Sequence, residues 1–139
     1  LRDREARARA LAAVAARGDE RAVAALAACL GLESRHVQRS GLVPLLAGAL
    51  ERGSARAFEA ITALWDDREG EVREAAVAAL VDVVERGDER ALAELRSCLA
   101  RGDPGMRQAA AAALAEVSEA GDGQTVAALC SCLQEDLDA

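Results

Sequence analysis

The sequence predicts an all-α fold built as a stack of antiparallel helical pairs, and three observations carry that expectation. The apolar residues are mostly Ala, Leu and Val, with only Phe58 and Trp65 aromatic, and Ala and Leu lead the helix-propensity ranking. No stretch alternates apolar and polar residues for long enough to suggest a strand. A glycine followed by Asp or Ser recurs at Gly18-Asp19, Gly53-Ser54, Gly87-Asp88 and Gly121-Asp122, with spacings of 35, 34 and 34 residues. A fixed period of that length marks a repeat architecture.

The period divides the 139 residues into four units, roughly 3–37, 38–71, 72–105 and 106–139, within one domain. Under this register 72–99 lies over 3–30 and over 106–133. Each unit carries two helical stripes. In the first helix of unit three, Val72, Ala75, Ala76, Ala79, Leu80 and Val83 fall on one face of a 3.6-residue helix, which makes that face the core. In the second helix the apolar positions are Ala91, Leu92, Leu95, Cys98 and Leu99. Ala22, Val23, Leu26, Cys29 and Leu30 match them in unit one, and Thr125, Val126, Leu129, Cys132 and Leu133 in unit four.

The elements follow in order. Unit one gives helices at 4–17 and 19–31. The joint between them reads mechanically: Gly18 takes the left-handed conformation that closes one helix, and Asp19 accepts from the free N–H groups opening the next. Unit two gives 38–52 and 54–66. Pro44 is tolerated in a first helical turn but costs about 3 kcal/mol deeper in a helix. Regular helix is therefore expected from Leu42 or Val43, with 32–39 a short separate helix or turn. Unit three gives 71–86 and 88–101, and unit four gives 105–120 and 122–135.

These residues resemble HEAT repeats, of the Ala-rich subtype also found in phycobilin lyase subunits. The likeness rests on Val72-Arg73 with Ala75-Ala76 and Ala79-Leu80, and on Asp103-Pro104-Gly105-Met106-Arg107 with Ala109-Ala110 and Ala113-Leu114. Unit two is instead similar to an armadillo repeat, through the Gly-x-x-Pro of Gly41 to Pro44 and the closing Ala63-Leu64-Trp65. The resemblance implies a right-handed α-α superhelix of the HEAT/armadillo type, with about eight helices. It also implies a structural ladder between repeats, in which Arg4, Arg39, Arg73 and Arg107 take the repeat arginine and Asp66 and Asp103 are candidates for the turn aspartate.

Little in the chain points to chemistry. His36 is the only histidine, so no histidine-based metal cluster or catalytic pair can form. HEAT-type deoxyhypusine hydroxylases bind iron through repeated His-Glu pairs, whereas His36 is followed by Val37. Cys29, Cys98 and Cys132 share one position of three units, as a small core slot would, and equivalent residues of stacked helices stand too far apart for a disulfide. They are expected to be buried, reduced thiols, which favours a reducing compartment such as the cytoplasm. Cys130 aligns with Ala27, Thr62 and Arg96 and is expected at the surface. No cofactor is expected.

A net charge of −7 argues against nucleic acid or an anionic membrane, and no apolar run is long enough to span a bilayer. The chain begins at Leu1, which suggests a fragment of a longer array. The expected function is therefore a non-catalytic scaffold that binds a protein partner on its stacked helices. A structural subunit of a larger assembly and a bilin-lyase-type subunit remain open beside it. The candidate partner stripe comprises Glu74, Ala78, Val81 and Glu85 in unit three and Gln108, Ala112, Ala115 and Glu119 in unit four. Small side chains flanked by acids suit a basic amphipathic helix, although the stripe also reads as a plain solvated surface. Val126, Leu129 and Leu133 repeat the core pattern on the last helix, so the C-terminal end is expected to be covered by another repeat or subunit.

Overall fold

The computed structural model describes residues 2–31 and 36–138. Within them lie eight α-helices: α1 (Arg2–Val14), α2 (Glu20–Gly31), α3 (His36–Ala49), α4 (Ala55–Ala63), α5 (Gly70–Val83), α6 (Glu89–Arg101), α7 (Pro104–Val117) and α8 (Gly123–Asp138). One 3-10 turn, Leu64–Asp66, follows α4. The odd-numbered helices stack on one another, α3 on α5 and α5 on α7 most extensively, and the even-numbered helices pack beside them. This is an α-solenoid.

Capping explains why the helices start where they do. Asp19 accepts from the Arg21 amide at 2.9 Å, Ser54 from Ala57 at 3.0 Å, Asp88 from Ala91 at 3.0 Å and Asp103 from Met106 at 2.9 Å. Each bond satisfies an amide that the first turn leaves without a partner, a contribution of about 1 kcal/mol per cap. Pro104 follows the Asp103 cap directly, where a missing N–H costs nothing.

The helices that precede the glycine joints end about three residues earlier than expected, at Val14, Ala49, Val83 and Val117. The glycines do take the left-handed conformation, with φ of +80 to +88°. They do so beyond the helix, as the third residue of a turn closed by the Asp19 amide on the Ala16 carbonyl at 3.0 Å, and likewise at the other joints. What fixes them there is the next unit. The amides of Gly18, Gly53 and Gly87 donate to the carbonyls of Ala49, Val83 and Val117, at 2.8, 2.8 and 2.6 Å. Each glycine thus caps the C-terminus of the odd-numbered helix one unit further on.

Unit two departs from the sequence reading in another way. Helix α3 runs continuously from His36, with Pro44 inside it and no separate start near Leu42; residues 32–35 lie outside the described residues. Burial offsets the lost backbone bond. Pro44 is exposed while Leu42, Val43, Leu46 and Ala47 are buried, and Arg39 anchors the first turn.

The core runs the length of the stack. Val72, Ala76, Ala79, Leu80 and Val83 are buried on α5, with Ala75 half-buried, and all five stripe residues of α6 are buried. Fully burying Leu80, Leu95 or Leu114 stabilises by about 1.5–3 kcal/mol each. The same stripe is only partly covered at the two ends, where Val23, Cys29, Leu129 and Cys132 are half-buried and Val126 and Leu133 exposed. Of the three cysteines expected in the core only Cys98 is therefore buried; Cys29 and Cys132 have a neighbouring unit on one side alone. Cys130 is exposed, and none of the four forms a disulfide.

Candidate partner-binding face

Two sets of side chains that the sequence grouped together perform different tasks once the helices are stacked. Glu74 is half-buried and fills the space over Gly105, where any Cβ would overlap its carboxylate. Val81 is half-buried against the core. Their equivalents one unit on, Gln108 and Ala115, are exposed. These four positions form the edge that one unit turns toward the next. Glu85 lies against the Gly53 turn, 3.8 Å from Arg52 Nε, and Glu119 lies against the Gly87 turn.

Ala78 and Ala112 point outward, in line with the exposed Pro44. Asp82 and Glu116 stand one turn further along α5 and α7, both exposed, at the repeat position that Gly48 holds in α3. The face is thus a row of small residues bordered by acids. Arginines guard the joints of the first three units. Arg17 donates to the carbonyls of Ala47 and Asp82, and Arg86 to Ser118 at 3.3 Å, which places a cation at the negative end of each helix. Ala120 takes that place in unit four. Arg86, the repeat equivalent of Arg52, is turned to the Ser118 carbonyl, and Glu116 and Glu119 form no ion pair among the described residues.

The opposite ends of the same helices are tied by a second arginine set. Arg39 is 5% exposed and donates to the Leu30 carbonyl at 2.9 Å, to both oxygens of Asp67 at 3.0 and 2.7 Å and to Glu69 at 2.9 Å. Its guanidinium holds the Asp67 carboxyl below the usual range, and Asp67 in turn strengthens the charge on Arg39. The turn acid is therefore Asp67 with Glu69, not Asp66, which the 3-10 turn leaves exposed. Arg73 reaches Asp103 at 3.2 Å and the Asp67 carbonyl at 2.8 Å. The Met106 amide, followed by Arg73, keeps the Asp103 carboxyl low. Arg107 is exposed and donates to the Gly102 carbonyl at 2.7 Å, while the acid that would pair with Arg4 falls outside the described residues.

These contacts position repeats; none brings a nucleophile, base and acid together. Among the described residues no group of three or more His, Cys, Asp or Glu could hold a metal ion, and no helix is long and apolar enough to cross a membrane.

A period of 34–35 residues, paired helices, a turn aspartate and a repeat arginine define a helical-repeat protein of the kind that mediates protein–protein interaction. The family model for HEAT repeats matches residues 39–115 and 59–139, and the chain belongs to that family. No curated protein and no solved structure matches it. HEAT repeats are typically non-catalytic scaffolds that bind other proteins.

Proposed function

We propose that the chain is a protein-binding scaffold whose α5–α7 face takes a basic amphipathic segment. One observation carries the reading: Glu116 and Glu119 stand exposed, without cationic partners among the described residues, beside a row of small side chains at Ala78 and Ala112. Small residues let a helix backbone approach closely, and the acids set its orientation. Asp82 on α5 and Glu85 in the turn that follows it extend the acidic border. Gln108 and Ala115 flank the row, and Glu74 and Val81 support it from the boundary between units three and four.

The test uses a fluorescent amphipathic peptide of leucine and lysine, with a leucine–glutamate peptide as control. The lysine peptide is expected to bind and the control not to. Reversal of Glu116 and Glu119 to Arg is expected to weaken binding about tenfold at low salt, with the circular dichroism unchanged. Equal affinity for both peptides, or no effect of the reversals, would remove the α5–α7 face from consideration.

A further inference from the structure

We infer that the groove between α2 and α4 is a docking pocket for an aromatic side chain of a partner protein, carried beside a basic residue. The repeat itself shows what fits there. Between units two and three, Phe58 of α4 is buried and Arg90 of α6 lies over its ring, with the guanidinium carbon 4.4 Å from the centroid. The space left open beside them, against Val83 and Val84, is about 110 Å³. One unit earlier Val23 and Arg56 hold the same two repeat positions, and about 330 Å³ stands open between α2 and α4. The site that Phe58 fills at one joint is therefore vacant at the other.

The walls and the charges suit that occupant. Leu50 is buried and Val23 and Ala60 are half-buried in the groove, while Ala24 and Ala27 stand where the next joint has the larger Glu59 and Thr62. A cavity of about 150 Å³ accepts benzene, so there is room for a phenyl or indole group. Arg56 stands at the rim, where Glu20 holds its Nη1 at 2.9 Å. A ring entering the groove meets this guanidinium as Phe58 meets Arg90, in a cation–π contact. The charged residues of the lining are Glu20, Glu51 and Arg56. Glu20 and Arg56 pair with each other, and Glu51 is exposed with no ion pair among the described residues. The arginines that flank the same turns are engaged: Arg17 with the Ala47 and Asp82 carbonyls, Arg21 with Asp19 and Arg52 with Glu85. A lysine or arginine next to the ring complements Glu51. Neither Phe58 nor Trp65 is exposed, so a second copy of the chain has no ring to offer. The groove shares no residue with the α5–α7 face, and the two readings stand or fall separately.

Titration of the isotope-labelled full chain with N-acetyl-phenylalanyl-lysine amide, followed through the backbone amide shifts, tests this. Saturable shifts are expected at Gly18, Ala27, Ser54 and Ala60, and none at Ala78 or Ala112. The leucyl-lysine and phenylalanyl-glutamate analogues are each expected to bind at least about threefold more weakly, the first lacking the ring and the second the cation. Val23→Phe copies the filled joint of unit two and is expected to weaken binding at least about tenfold by occupying the groove. Arg56→Ala, a surface change that tests the site even if Val23→Phe unfolds, is expected to weaken it about threefold. Reversal of Glu116 and Glu119 is expected to leave the titration unchanged. Absence of saturable shifts, shifts confined to other residues, equal affinity for the leucyl peptide, or full binding by folded Val23→Phe or by Arg56→Ala would each overturn the inference.

Discussion

Replacing Arg39 by Met is expected to cost about 3 kcal/mol of stability, the largest loss from any arginine among the described residues. The magnitude follows from what is left behind. Arg39 is buried and spends four hydrogen bonds on the Leu30 carbonyl, Asp67 and Glu69, whose carboxylates are themselves mostly buried. Breaking a buried pair by removing one partner costs about 3–5 kcal/mol, and the residual exposure of the two acids places this case at the lower end. Arg73 pairs with Asp103 where both are half-buried, so Arg73→Met is expected to cost about 1 kcal/mol. Arg107 is exposed with a single carbonyl, and Arg107→Met is expected to fall within about 0.5 kcal/mol of wild type. The sign of the pH dependence is fixed as well. Asp67 has its folded pKa lowered, so its contribution is present above the unfolded carboxylate value and disappears as pH falls through the lower, folded one. Urea unfolding at pH 7 and pH 3 measures both effects: the gap between wild type and Arg39→Met is expected to narrow in acid. Equal losses for Arg39, Arg73 and Arg107, or a gap that widens at pH 3, would refute the assignment of Arg39 as the buried tie between repeats.

Three further outcomes follow from the packing. Under native conditions Cys130 is expected to react first with a thiol reagent, Cys98 last, and Cys29 and Cys132 between them, measured by mass spectrometry of quenched samples. Leu80→Ala and Leu95→Ala are each expected to cost about 2–5 kcal/mol in urea unfolding, since both side chains are fully buried and leave cavities. Gly87→Ala is expected to destabilise by about 1–2 kcal/mol, because its φ of +84° disfavours any Cβ and the flexible Glu119 carboxylate must also move aside.

The repeat made most of this fold legible. Gly18, Gly53, Gly87 and Gly121 set the number of units, and the stripe from Val72 to Val83 separated the core face of α5 from its surface. What a single chain's periodicity could not show was which neighbour each face meets. The spacing reads the glycines as helix terminators, but the amides of Gly18, Gly53 and Gly87 bond a carbonyl 30 or more residues away, in the next unit. Cys29 and Cys98 share a repeat position and differ in burial because only Cys98 has a unit on both sides. The candidate stripe mixed outward residues, Ala78 and Ala112, with boundary residues, Glu74 and Val81, since a helix face adjoining the next repeat has the same spacing as one facing water. The turn acid moved from Asp66 to Asp67 because a 3-10 turn replaced the last helical turn of α4.

Amide hydrogen exchange at the four joint glycines tests the stacked-repeat account most directly. Gly18, Gly53, Gly87 and Gly121 share one conformation and one local sequence pattern, so any difference among them reports contact with the next unit. In dilute solution the first three amides, bonded across repeats, are expected to exchange at least about 100-fold more slowly than Gly121. Four similar rates would contradict the account, because the glycine-to-helix bonds would then not hold the repeats together.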